Sequence, residues 1–290
     1  MTGKPLFGPA GNSLSFTEEG NRHTYQSMKW LSERHLDAYE YSGGNGITGG
    51  EATFRKIGEE AQKYDIKLSL HAPYYISLSG VELETRLKSI GYIKKSLAAA
   101  EAMGADTIVI HTGSAAKITR ETAMDFAKDT LYKTLAETEG SPVRLGLETM
   151  GKINQLGTLE EVIELCKMDS RLAPVVDFGH MNARNRGGLF TSRDDYKAVF
   201  DKIATELGDL HAMNLHCHFS KIEYTAAGEK KHLTNSDNTF GPPFEPLMEA
   251  VFSEGLSPRI ICESDGTMAE DALEMKRYYA GLNNRSNEEI

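Results

Sequence analysis

A chain of 290 residues with 40% hydrophobic and 26% charged residues has a globular balance and enough length for one large core. That excludes a disordered, collagenous or disulfide-stapled chain, since the three cysteines, Cys166, Cys217 and Cys262, are scattered and form no CxxC pair. A net charge of −10 argues at face value against a nucleic-acid partner. Two or three divalent cations would add roughly +4 to +6 where an anionic substrate sits, so the question stays open.

The first β-like run is 4–9 (KPLFGP), followed by a helical stretch at about 22–34. Then come β-like 36–42 (LDAYEYS), helical 51–64, β-like 66–72 (IKLSLHA) and the clearest helix, 82–103. In that helix Leu83, Leu87, Ile90, Ile93, Leu97 and Ala100 recur at spacings of three and four and draw one apolar face. The alternation continues as β 106–112 (DTIVIHT), helix 119–138, β 143–149 (VRLGLET), helix 158–168, β 173–178 (APVVDF), helix 193–207, β 213–219 (MNLHCHF), helix 244–254, β 258–263 (PRIICE) and helix 269–281. Eight strands alternating with helices imply parallel βαβ units and a single (β/α)₈ TIM barrel, which typically needs about 250 residues. The expected domain is 1–282, with 283–290 (NNRSNEEI) as a solvated tail. An open doubly wound sheet is the alternative, but no GxGxxG follows the first strand. No run approaches the roughly 18 apolar residues of a membrane span, and the opening MTGKPLFGPAG has no signal-peptide core. A cytoplasmic monomer is the expectation.

Six consecutive strand candidates each end in a residue able to hold a metal: His71, His111, Glu148, Asp177, His218 and Glu263. Strand side chains alternate, so parity asks whether these point to the barrel axis. Ile66, Leu68 and Leu70 oppose Ser69 and His71; Ile108 and Ile110 oppose Val109 and His111. Leu145 and Leu147 oppose Glu148; Leu215, Cys217 and Phe219 oppose His216 and His218. The aliphatics then face the outer helices and the potential ligands converge. Carboxylates that close together cannot all stay ionised without positive charge between them. Any one of these residues alone reads as a satisfied strand-end polar group; six in register read as a shared metal site. Imidazole and carboxylate donors suit zinc, two or three ions, with manganese or iron possible.

The segments HAPYYISLSG, IHTGS, LETMGKINQLGT, VVDFGHMNARN, HFSKIEY and ICESDG occur in an order and spacing that resemble the endonuclease IV family of apurinic/apyrimidinic endonucleases, within the xylose-isomerase-like barrel superfamily. The likeness runs from about residue 66 to 265 and suggests a divergent branch. It implies a trinuclear zinc cluster: His71 and His111 on one metal, Glu148 bridging to a second, Asp177, His218 and Glu263 completing the second, and His180 and His232 serving a third. It implies metal-dependent hydrolysis of the DNA backbone 5′ to an abasic site, a DNA-repair reaction on damaged duplex, with Glu148 and Glu263 as the catalytic carboxylates. Two features depart from the family. Its Asp two residues before the third-site histidine is Lys230 here, with Glu229 adjacent as a possible substitute. The opening FGPAGNS and the loop SGGNGITGG also differ, the latter lacking a basic residue to insert into DNA.

Tyr74 and Tyr75 follow His71 on a strand-end loop; in the family an aromatic here wedges into the helix at the lesion, while the bland reading is loop packing. Arg184, Arg186, Lys221, Lys230 and Lys231 are phosphate candidates that read equally as solvated surface. His216, one pleat below His218, is expected to support it. His23, His35, His211 and Trp30 read as structural. Three functions compete: the damaged-DNA phosphodiesterase, a metal-dependent sugar isomerase or epimerase on the same scaffold, and a metal-loaded protein that binds lesions without cutting. The histidine pair His180 and His232 favours the first; the acidic balance favours the second.

Overall fold

A computed structural model describes residues 3–288. In chain order the elements are β1 (Leu6–Pro9), α1 (Leu14–Glu18), α2 (Tyr25–Glu33), β2 (Ala38–Ser42), α3 (Glu51–Lys63), β3 (Lys67–His71), α4 (Leu83–Met103), β4 (Thr107–His111), α5 (Arg120–Glu137), β5 (Arg144–Glu148), α6 (Leu159–Cys166), β6 (Leu172–Asp177), α7 (Phe178–Arg184), α8 (Arg193–Leu207), α9 (Asp209–Met213), β7 (His216–Phe219), β8 (Lys221–Thr225), β9 (Gly228–Leu233), α10 (Glu245–Ser253), β10 (Arg259–Cys262) and α11 (Met268–Glu288). Eight strands form one parallel sheet in the order β1-β10-β7-β6-β5-β4-β3-β2. A parallel bridge from Ala10 to Glu40 brings the two edge strands together, so the sheet is a nearly closed TIM barrel.

The strands are buried on both faces, as parallel strands under a ring of helices must be. Outward residues such as Leu68, Leu70, Ile108 and Leu145 meet helix residues that include Ile57, Ile93 and Leu131, all 8% exposed or less. Helix starts follow local chemistry: Thr158 caps α6 with Glu161 reaching back, and Ser192 does the same for α8 with Asp195. Among the described residues no helix is long and apolar enough to cross a membrane.

All eight barrel strands fall within the expected runs or one residue beyond them. Three short helices, α1, α7 and α9, were not expected. The strand read at 213–219 starts only at His216, because α9 occupies Asp209–Met213. The largest difference is the seventh loop, which is an antiparallel hairpin, β8–β9, standing over the barrel mouth. The backbone of the stretch read as a tail from 283 is helical to Glu288; residues 289–290 lie outside those described.

Candidate metal centre

The barrel's stagger puts the strand-end side chains at one level. His111 pairs with Glu148 across β4 and β5, and Asp177 pairs with His218 across β6 and β7. Glu148, 1% exposed, divides its two oxygens. Oε2 lies 3.1 Å from His111 Nε2 and 3.4 Å from His71 Nε2; Oε1 lies 3.0 Å from His218 Nδ1 and 3.5 Å from His180 Nδ1. Burial would raise its pKa, yet hydrogen bonds from His111 and His218 hold it well below the usual carboxylate range.

The backbone sets which ring nitrogen is free. His71 Nδ1 is 2.8 Å from the Ala72 carbonyl, and His180 Nδ1 is 3.0 Å from the Thr149 carbonyl. A carbonyl can only accept, so both Nδ1 atoms carry a proton, and Nε2 is the atom that offers a lone pair once the ring is neutral. Asp177 plays two parts. Its Oδ1 caps α7 by accepting from the His180 N–H at 2.6 Å, while Oδ2 is buried with no hydrogen-bond partner. Burial, opposed by the attraction of His180 and aided by repulsion from Glu263 and Glu148, pushes Asp177 up to about 6. Burial works against a charged His180, yet Asp177, Glu229, Glu148 and Glu263 push it up to about 10. A buried carboxylate oxygen without a donor, beside His180 drawn toward protonation, belongs to a donor set that fits divalent cations. The potential ligand atoms gather as His71–His111–Glu148, as Glu148–Asp177–His218–Glu263 and as His180–His232–Glu263, each set within 4.8 Å of one another.

The hairpin supplies the outer side of the site. In β8–β9, Glu223 pairs with Lys231 and Tyr224 with Glu229, which leaves Lys230 as an extra, bulged residue. A bulge shifts side-chain parity by one, so Glu229 and His232 share a face and Lys230 does not. Glu229 Oε2 lies 3.5 Å from His180 Nε2, and its Oε1 lies 4.0 Å from His232 Nε2. His232 Nδ1 lies 2.8 Å from Ser220 Oγ and 3.9 Å from Glu263 Oε2. Close approach demands glycine here. A Cβ on Gly151 would sit 2.6 Å from that of Glu229, and one on Gly228, at φ +91°, would sit 2.3 Å from the Gly151 carbonyl oxygen.

All eight proposed metal ligands are therefore in one cluster. Outside it, Tyr74 is half exposed, with its ring centroid 5.0 Å from that of His71 and 5.3 Å from that of His111. Tyr75 is equally exposed and meets Tyr92 edge-on. Arg186 is exposed, but Arg184 directs its guanidinium at the carbonyls of Met150, Lys152, Ile153 and Gln155, bracing that loop. Lys221 donates to the Asp237 carbonyl, Lys230 pairs with Glu223 and Lys231 with Asp265. Trp30 is buried with its N–H on Glu19, and His23 stacks on Tyr25, both remote from the cluster. Sequence reasoning missed Glu40. This fully buried carboxylate in the middle of β2 lies 2.9 Å from His218 Nε2 and 3.0 Å from His216 Nε2.

Comparison with known proteins bears on this barrel and its mouth. The model of the xylose isomerase-like TIM barrel family matches residues 29–279. An uncharacterized protein of Methanocaldococcus jannaschii, MJ0133, is 30% identical over 275 residues, 94% of this chain and 96% of its own. A probable endonuclease 4 of Acholeplasma laidlawii is 27% identical over 198 residues, 66% of this chain and 65% of its own. Among solved structures, a D-tagatose 3-epimerase-like protein superposes with a TM-score of 0.69 at 19% identity, over 90% of this chain and 94% of its own.

Proposed function

Because the chain belongs to the xylose isomerase-like TIM barrel family, we propose that it is a metal-dependent phosphodiesterase that hydrolyses damaged double-stranded DNA 5′ to abasic sites. One observation carries this reading over its rivals: the third ligand set, in which Glu229 faces both His180 and His232. A two-carboxylate isomerase has no evident use for it. The likeness to a probable endonuclease 4 supports the same choice.

Two or three zinc ions, or manganese or iron in their place, would be held by His71, His111, Glu148, Asp177, His180, His218, His232, Glu263 and Glu229. Bound there, the ions supply the Lewis acidity that polarises a phosphodiester and acidifies water. The chain's own residues do the rest. Glu148 ties the two inner ligand sets together, one oxygen to each, and so sets their spacing. Glu263, 13% exposed and reaching toward both His218 and His232, faces the open mouth and is placed to orient a water. Tyr74 and Tyr75 stand at the rim, where an aromatic ring can support an unstacked duplex, and Arg186 is the phosphate contact.

A sugar isomerase or epimerase is the second reading. It is favoured by the cavity of about 340 Å³ over the cluster, lined by Tyr74, Lys231, His232, Glu263 and Asp265. That volume suits a small molecule, and the rim lysines are already paired with acids. One experiment separates the two. A duplex with a single tetrahydrofuran abasic analogue is incubated with metal-loaded protein, with and without chelator, beside a panel of ketoses and aldoses. Chelator-sensitive incision leaving an extendable 3′-hydroxyl is expected; sugar interconversion without incision overturns the nuclease reading.

A further inference from the structure

Glu40 is fully buried in the middle of β2, a strand that contributes none of the ligands above. It pairs in register with Ser69, so both project to the barrel axis, while Tyr41 projects outward onto Phe54 of α3. Among the described residues its carboxylate meets three polar side chains. Ser69 Oγ donates to Oε2 at 2.8 Å, His216 Nε2 approaches Oε2 at 3.0 Å, and His218 Nε2 approaches Oε1 at 2.9 Å. Glu40 Oε1 and His218 Nε2 lie 2.9 Å apart, are both buried, and make no aligned hydrogen bond among the described residues, so each is the nearest charged neighbour of an otherwise unsatisfied atom. No lysine or arginine pairs with Glu40 among the described residues.

His218 thus stands between two layers. Its Nε2 faces Glu40, and its Nδ1 faces Glu148 at 3.0 Å and Glu263 at 3.5 Å. An imidazole that ligates a cation through one nitrogen carries a proton on the other, and that proton needs an acceptor. The Ala72 and Thr149 carbonyls do this for His71 and His180. His218 is fully buried and has no carbonyl in that place; a full negative charge takes the part instead.

We propose that Glu40 is a positioning residue that holds His218 as its Nε2–H tautomer and so presents the Nδ1 lone pair to the cation shared with Glu148, Asp177 and Glu263. Ser69 and His216 hold the carboxylate in place from the side away from His218. A charged acceptor also makes the ring a stronger metal ligand than a carbonyl would. The inference rests on the metal centre proposed above.

The test uses the full chain and cobalt(II). Metal uptake is followed by absorption and by competition with a chromophoric chelator in wild type, Glu40→Gln and Ser69→Ala. The state of His218 is read by ¹⁵N-histidine NMR on the zinc-loaded protein. Glu40→Gln is isosteric, and circular dichroism checks that it folds. Expected is the same number of equivalents at saturation, with one bound about 10- to 100-fold more weakly and its visible bands shifted; Ser69→Ala moves the same equivalent by a few-fold. In wild type His218 carries its proton on Nε2, and in Glu40→Gln that signal broadens or moves. Wild-type affinity, bands and tautomer in Glu40→Gln would overturn the proposal. So would loss of a whole equivalent at saturating metal, which would make Glu40 a ligand of an inner ion with His216 and His218. A wild-type protein that takes up no metal defeats the metal centre itself, a different result from either.

Discussion

Glu229 offers the sharpest perturbation, because its place in the site depends on one bulged residue. Its carboxylate is 3.5 Å from His180 Nε2 and 4.0 Å from His232 Nε2, and its side chain is 16% exposed. Glu229→Ala leaves two imidazoles and Glu263 around the third position, with no carboxylate against His180 Nε2. Unit charges about 4 Å apart in a partly wet site interact by about 4 kcal/mol, and a dication doubles that. Water entering through the open side offsets more than half. A net loss of about 3 kcal/mol remains, roughly a hundredfold in affinity. Elemental analysis after saturation and gel filtration should find three equivalents in wild type and two in Glu229→Ala, with the wild-type third ion the first to leave on mild chelation. Deleting Lys230 is the matched control. It restores a regular register in which Glu229 still shares a face with His232, so the third equivalent stays. Three tightly held ions in Glu229→Ala, or loss of the third on deleting Lys230, would refute the parity argument.

Glu148→Gln and Glu263→Gln should each lower incision by orders of magnitude, several kcal/mol of barrier, in single-turnover assays. Glu148→Gln should also weaken two equivalents at once, because each oxygen faces a different ligand set. His232→Ala should release about one equivalent and spare two; unchanged metal content, with His232 free in a crystal structure, makes this a two-metal barrel. Arg184→Ala removes the brace on the 150–155 loop and should cost about 1–2 kcal/mol, read as a fall in Tm of a few degrees by calorimetry. An unchanged Tm with weakened, less salt-sensitive DNA binding would return Arg184 to the phosphate contacts.

The barrel was legible because its strands alternate with helices at regular intervals and its ligands sit at strand ends, where period-two parity separates them from aliphatic neighbours. Two parts of the site were not legible, for opposite reasons. Glu40 lies mid-strand between Tyr39 and Tyr41, where a polar residue reads as one face of a pleat. The usable signal lay on other strands: Ser69 in register with it and His216, a buried imidazole lacking a named partner. Glu229 was weighed only as a neighbour of Lys230, because counting back two residues from His232 assumes an unbroken strand. A bulge breaks that count without any local signature in GEKKH, and a glycine just after β5, Gly151, is what makes room for the result. The short helix α7 escaped notice because its cap, Asp177, reads as a strand-end ligand, and it is both.

Charge explains why so much of the site is built from histidine. Glu40, Glu148, Asp177, Glu229 and Glu263 crowd the axis and mouth, and among the described residues their ion pairs are all with imidazoles, none with lysine or arginine. A permanent cation would neutralise one carboxylate and block the ligand positions around it. An imidazole can instead exchange a proton for a metal ion at the same nitrogen. Two or three divalent ions, if bound as proposed, would leave roughly one charge of either sign against five carboxylates. The chain's net charge of −10 counts those five acids as bare, so with the proposed cations bound it would overstate the repulsion a phosphate meets at the barrel mouth.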